Sequence, residues 1–406
     1  MRSAHLAAFA LAALLLPPAA ARSLPLPGAP SCPVFPASNP WNRPVDTLPV
    51  ATNSAAIIAS IGTGIGLHPD FGSGLWDGGP IGIPITVVSG QTTPNYRPEF
   101  DYADESDPGP YPIPSNVAIE GGDDSTGDRH AIVVDRDTCK LYELYSLYPN
   151  GNGWSAGSGA VWDLGTNVMR PAGWTSADAA GLPILPGLAR YDEVARGVID
   201  HALRFTVQRT RRAYVYPARH YASTLTDPSL PPMGLRVRLK SSFDTRSFPP
   251  QARIVLDALK RYGMMVADNG SNWYISGAPD PGWDNDELGQ LSRVKGSDFE
   301  VVDTSSLGAG PTSATVTSLS ARRTGQGIAI RWATAADLDV LGYEVYRLAG
   351  RERRSVSGLV FRTGASSGGA YRFVDRGVGA RPDVRYLVGL IYPDGRRDWF
   401  GPVAVS

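Results

Sequence analysis

The chain has 406 residues, 42% hydrophobic and 19% charged, a balance that excludes a disordered or low-complexity polymer. Its 38 Lys and Arg against 39 Asp and Glu give a net charge of −1, without the basic excess that a nucleic-acid or anionic-membrane partner would need. With 45 Gly and 35 Pro, turns and short strands are favoured over long helices.

The N-terminus, MRSAHLAAFALAALLLPPAAARS, reads as a secretory signal over residues 1–21. Arg2 is the positive start, Leu6 to Leu16 the apolar run, and Ala19-Ala20-Ala21 an A-x-A cleavage site. The run is too short to span a bilayer, and no other stretch is long enough, so a secreted chain is expected. Cleavage removes Arg2 and leaves 37 of the 38 Lys and Arg against 39 Asp and Glu, a net charge of −2. In an oxidising compartment the two cysteines, Cys32 and Cys139, are expected to form a disulfide that closes a loop of about a hundred residues.

Residues 22–50 carry eight prolines between Pro25 and Pro49 and read as an extended lead-in. A short helix follows at Ser54–Ser60, capped by Asn53 or Thr52, then strand-like pieces at Ile83–Val88 and Val117–Glu120. HAIVVDRDTCKLYELY predicts a hairpin turning at Asp135–Thr138. Further strands are expected at Ala160–Leu164, Ala202–Val207, Ala213–Tyr216, Leu235–Leu239, Met264–Ala267, Trp273–Ser276 and Phe299–Val302. PPQARIVLDALKRYG predicts one good helix, with Ile254, Leu256, Leu259 and Tyr262 as its apolar stripe and Gly263 as its stop. A weaker helix falls at Asp284–Leu291. Residues 51–303 thus read as a β-rich main domain, all-β to α+β and sandwich-like, with a few helices and two packed sheets.

A Ser/Gly/Pro linker, residues 304–314, separates it from residues 315–406. There Trp332, the LGYEVYR strand with Tyr343 and Tyr346, the strand around Tyr386 and the Asp394-Gly395 turn resemble a fibronectin type III-like module. The resemblance implies a small seven-stranded sandwich acting as spacer or docking module, with no chemistry of its own. Residues 30–303, with FPASNPWN, DYADESDPGPYPIP, GDRH, PAGWTSADAAGLPILPGLARYDEV and ADNGSNWYISGAPD, are similar to a family of exported bacterial proteins, a resemblance that implies no activity.

GGDDSTGDRH, Gly121–His130, runs straight into the strand AIVV. Strand alternation would put Asp128, His130, Ile132 and Val134 on one face, with Asp128 and His130 at the mouth of the sheet. The plainer expectation is a buried histidine on a carbonyl beside solvated Asp123 and Asp124. A second acidic cluster, EFDYADESD, brackets the same region. Asp104, Glu105, Glu120 and Asp128 form the pool from which an acid/base pair for glycoside hydrolysis would come, with His130 tuning it. The same acids could hold calcium, although their spacing is not that of an EF-hand, or simply face solvent.

Of seven tryptophans before the linker, Trp76, Trp154, Trp174 and Trp283 sit in Gly/Pro loops where their faces could stack on sugar rings. Trp162 and Trp273 read as core. His220, in RRAYVYPARHY, could join an anionic or sugar ligand, and His201 reads as a buried strand residue. GWSAG fits G-x-S-x-G around Ser155, but a loop precedes it and a strand follows, the wrong context for a nucleophile elbow. The leading expectation is a secreted glycoside hydrolase acting on extracellular polysaccharide. The alternative is a non-catalytic glycan-binding or surface-adhesion protein, and a serine esterase comes third.

Overall fold

The computed structural model describes residues 24–308, 316–334, 342–349, 352–361, 369–378, 384–391 and 397–405. The signal segment, residues 309–314 of the linker and the Asp394-Gly395 turn lie outside the described residues.

Two sheets dominate the main domain, which is β-rich and sandwich-like with few helices. The expected hairpin forms from Ala131–Asp135 and Lys140–Tyr145, flanked by Ser158–Asp163 and by Ile85–Val88, which runs parallel to its neighbour. Its turn follows from Asp135, whose carboxylate accepts the Asp137 N–H at 3.0 Å and the Thr138 hydroxyl at 2.5 Å. Alternation then splits the side chains. Ile132, Val134, Leu141, Ala160 and Trp162 pack on the lead-in's Leu26, Val34 and Phe35, while Ala131, Val133 and Leu144 face Tyr111, Ile113 and Ile119. Both faces of this sheet are covered.

The second sheet is mixed, in the order His68–Asp70, Tyr274–Ser276, Leu203–Val207, Met264–Asn269, Arg236–Leu239 and Phe299–Val301. Helix Pro250–Arg261 packs on it through Ala252, Val255, Leu256 and Leu259, at i, i+3, i+4 and i+7, leaving Ile254 at the margin of the expected stripe. Each aliphatic side chain fully buried there contributes about 1.5–3 kcal/mol. Gly263 ends the helix at φ 67°, and a Cβ at that position would meet the Val237 carbonyl oxygen at 2.2 Å. Asp284 caps helix Asn285–Gly289 by accepting the N–H groups of Asp286 and Glu287.

The proline-rich lead-in, from Leu24 on, wraps the domain. Leu26, Val34, Phe35, Trp41 and Val45 are buried. Two arginines of one strand tie the segment to the sheet through its backbone carbonyls. Arg236 donates to the Pro40 and Arg43 carbonyls at 2.7 and 3.0 Å, and Arg238 to those of Val45 and Leu48 at 2.5 and 2.8 Å. Three sequence expectations differ from the structure. Val117–Glu120 is not a strand, Ala213–Tyr216 contributes only a bridge from Tyr214 to Met233, and a helix at Tyr191–Arg196 was not expected.

Residues 316–405 form two further sheets, of three and four strands, around Trp332, Tyr343, Tyr371 and Tyr386. Among the described residues no helix is long and apolar enough to cross a membrane.

Cys32 and Cys139 are bonded, across a sequence separation of 107. Loop-closure entropy for that length predicts that a Cys32→Ser/Cys139→Ser variant loses about 4–5 kcal/mol of stability, read by urea unfolding with an m-value that rises as the unfolded chain loses its cross-link.

Candidate functional site

The segment between the two sheets builds the site. Arg129 takes a positive φ of 52°, which interrupts the strand alternation, and its guanidinium gathers the GGDDSTG loop by donating to the carbonyls of Asp123 at 2.7 Å, Ser125 at 3.0 Å and Leu147 at 3.0 Å. The strand therefore begins at Ala131, not near Asp128. Asp123 and Asp124 face solvent. His130 points inward as expected, whereas Asp128, two residues earlier in the same loop, is exposed.

His130 is buried, with Nδ1 2.6 Å from Glu120 Oε2 and Nε2 3.0 Å from the Ala177 carbonyl. Both nitrogens face acceptors, which is the bonding pattern of an imidazolium. Burial opposes that charge, but the charge and hydrogen bond of Glu120 outweigh it and raise the His130 pKa to about 9. Burial likewise works against the Glu120 carboxylate, and the His130 charge overrides it and lowers the pKa. This is a closed ion pair. Glu120, one of the expected acids, is paired with His130 and does not line the cleft described below.

Residues Ser176–Ala189 cross from one sheet to the other. Ser158 donates to the Ser176 carbonyl at 2.7 Å, and the buried Glu143 carboxyl accepts the N–H groups of Ile184 and Leu185 at 2.9 Å. Asp178 holds Arg204 of the second sheet in a bidentate pair, at 3.0 Å to Nε and 2.7 Å to Nη2, and Arg204 also donates to Ser276 at 2.5 Å. Arg170 clamps a third piece, donating to the carbonyls of Thr175 and Glu105, both at 2.7 Å, and pairing with Asp107.

These pieces surround an open cleft of about 420 Å³. Glu105, Asp128, Asp268 and His220 line it, with Tyr102, Tyr145, Ser158, Thr175, Ser176 and Asn269. Glu105 Oε2 accepts the Thr175 N–H at 2.9 Å and lies 3.9 Å from His220 Nε2. His220 Nδ1 is 2.8 Å from the Ala179 carbonyl, so its proton sits there when the ring is neutral and Nε2 is left to face Glu105. Asp268 ends the buried run Met264–Ala267 and accepts the Asn269 N–H at 2.6 Å. Burial above all, and then the Asp178 charge, push its carboxyl up to about 7 against the pull of Arg204 and His130. Burial also pushes Glu143 up to about 7, but that carboxyl lies away from the cleft.

Of the residues expected from the sequence, Glu105, Asp128 and His220 line this cleft together. Asp104 is exposed on the turn Ala103–Glu105 and does not line the cleft. Trp283 is corrected: it is only 3% exposed, donates to the Ala278 carbonyl and packs between Phe71 and Tyr191, so no ligand can reach its face. Trp154 is half-buried against Tyr96, and Trp174 lies under the Arg170 guanidinium beside the cleft residue Thr175. Trp76 is 78% exposed on the hairpin Leu75–Trp76/Gly79–Pro80, apart from the cleft lining. Ser155 lies in a strand paired with Tyr148, without the strand–turn–helix that an activated serine requires. His201 is buried against Glu193. Among the described residues no group of three His, Cys, Asp or Glu is arranged to hold a metal ion.

Asp268, Tyr102, Tyr145 and Asn269 were missed. An acid directly after four apolar strand residues, in MMVADN, was the available signal for Asp268.

No family model matches the sequence, and no curated protein matches it. Among solved structures it is similar to an Fn3-like protein from Clostridium thermocellum, at 19% identity and a TM-score of 0.17, over 23% of this chain and 91% of that one.

The raised Asp268 pKa has a stability consequence. A carboxyl raised from 3.8 to about 7 favours the folded state less as pH rises from about 4 to 7, because the unfolded chain ionises first. Replacing it with the neutral Asp268→Asn should raise stability above pH 7 by about 1–3 kcal/mol and leave it nearly unchanged below pH 4, measured by thermal melts across pH.

Proposed function

We propose that this protein is a secreted glycoside hydrolase in which Asp268 is the general acid and Asp128 the second carboxyl. The observation that carries the reading is a carboxyl kept protonated to about neutral pH in the wall of an open cleft that presents further carboxyls. Glycoside hydrolysis asks for that division, one carboxyl to give a proton to the leaving oxygen and one carboxylate to act at the anomeric carbon or on water. Asp268 protonates the glycosidic oxygen as the C–O bond breaks. Asp128 either activates the attacking water or takes the sugar covalently. Glu105 is less suited to that part, because its carboxylate is tied to the Thr175 N–H beside His220. Tyr102 and Tyr145 give the cleft aromatic surface on which a sugar ring can lie.

The signal-like N-terminus and the Cys32–Cys139 bond support export, and an extracellular polysaccharide is then the natural partner. The C-terminal module, read as fibronectin type III-like, would act as a spacer or docking unit. A second reading, a non-catalytic glycan binder, is favoured by the exposed Leu75–Trp76 hairpin, whose residues are 71% and 78% open.

Reducing-end release from a panel of polysaccharides tests the proposal. Release should fall by about 10²–10⁴ in both Asp268→Asn and Asp128→Asn while both variants remain folded. The rate should also decline as pH rises through about 7, where Asp268 loses its proton, and that limb should vanish in Asp268→Asn. Retention on one insoluble glycan without release, lost in Trp76→Ala, would favour the binder instead.

A further inference from the structure

We infer that the C-terminal module docks on an acidic polysaccharide, held by the arginine-bearing outer face of its three-stranded sheet. This names a target for the docking role proposed for the module and goes beyond the chemistry of the cleft.

Charge is the first ground. Residues 315–406 carry 14 Arg and no Lys against 8 Asp and Glu, a net charge of +6. Taking these from the chain's 38 and 39 leaves 24 Lys and Arg against 31 Asp and Glu in residues 1–314, a net charge of −7. The near-neutral total thus joins two opposite charges, and a polyanion finds its counter-charge in the C-terminal module. Arginine alone supplies it, with planar N–H forks that match carboxylates.

Placement is the second ground. Strand Gly327–Thr334 pairs with Val316–Thr324 on one side and with Ala370–Asp375 on the other. Ala321, Ile328, Ile330, Trp332 and Tyr371 face the core, so alternation turns Arg322, Arg331 and Arg372 outward, where all three are exposed. Arg331 and Arg372 are direct cross-strand partners. Like charges set directly opposite each other are destabilising. The module's described ion pairs engage Arg347 and Arg397, and among the described residues neither Arg331 nor Arg372 has an acidic partner. The fold keeps an unneutralised pair on an open sheet face, and a carboxylate lying across it removes the repulsion.

The rest of the face selects among polyanions. Ser320 flanks Arg331 on its other side, and Ala329, Ala333 and Val374 stand between and beside the arginines. A bilayer asks for an exposed apolar face, and single-stranded nucleic acid for rings on which its bases stack. A flat sheet face also has nothing to enter the groove of a duplex. Arginines and a hydroxyl among small side chains suit a hydroxylated chain that carries carboxylates.

Binding of the full chain to polygalacturonate tests this, with dextran, duplex DNA and phosphatidylglycerol vesicles as the other arms. The chain should bind polygalacturonate and not dextran, and at least about tenfold more weakly as salt rises from about 50 to 300 mM. Arg331→Gln/Arg372→Gln should weaken binding by about tenfold, with a melting temperature unchanged or raised because the repelling pair is gone. The salt series and the dextran arm carry the test if that variant does not fold. Failure to bind polygalacturonate, binding that ignores salt, undiminished binding by the folded variant, or tighter binding to DNA or vesicles would each overturn the inference. Sugar release by a chain that does not hold polygalacturonate would overturn it and leave the hydrolase reading standing. Salt-sensitive binding with no release from any polymer would do the reverse.

Discussion

The buried pair of Arg204 and Asp178 joins the two sheets of the main domain behind the cleft, and its charges reach the carboxyls around it. Arg204 belongs to a strand of the mixed sheet, and Asp178 to the segment that crosses from the hairpin sheet. Gly187 of the same segment leaves room for it, since a Cβ there would meet the Arg204 Cβ at 2.9 Å and the Trp41 ring at 2.7 Å. Removing one member of such a pair leaves an uncompensated buried charge, at a cost of about 3–5 kcal/mol. The guanidinium lowers the pKa of Glu120 and resists the rise at Asp268, while Asp178 raises Asp268 and Glu143. Burial raises Asp268 and Glu143 and the His130 charge lowers Glu120, and the fixed pair adds a smaller push to each.

These influences give two histidines and several acids different work. His130 and Glu120 are closed on each other and hold the edge of the hairpin sheet to the Ala177 carbonyl. Glu143 fixes the crossing segment through the Ile184 and Leu185 N–H groups. Asp268, Asp128, Glu105 and His220 are left with surface in the cleft. A carboxyl as buried as Asp268, with only partial compensation, is a cost to folding, and such costs concentrate where chemistry needs them.

Much of the fold could be read from the sequence because its signals are local. The Asp-rich turn, the Pro-Pro start and Gly263 stop of the long helix, and the alternating hairpin strands each act over a few residues. The lead-in was legible as extended but not as part of the core, because its anchors, Arg236 and Arg238, lie nearly two hundred residues away. The cleft was half legible for the same reason. Asp128 and Glu105 stood out as acids near a strand, whereas Asp268 looks like an ordinary strand end until Asp178 and Arg204 are brought beside it. Arg129 shows the opposite error: a left-handed residue that alternation cannot foresee put Asp128 outside the strand. Trp283 sat in a loop by composition and in the core by packing, since Phe71 and Tyr191 close over it.

The central claim is that the Asp268 carboxyl stays protonated until near neutral pH. Carbon-13 NMR titration of that carboxyl in the full chain measures it without a substrate. The account predicts a midpoint near 7, displaced in Asp178→Asn, whose charge helps hold it up. A midpoint near the ordinary 3.8 would contradict it and leave the cleft without its acid.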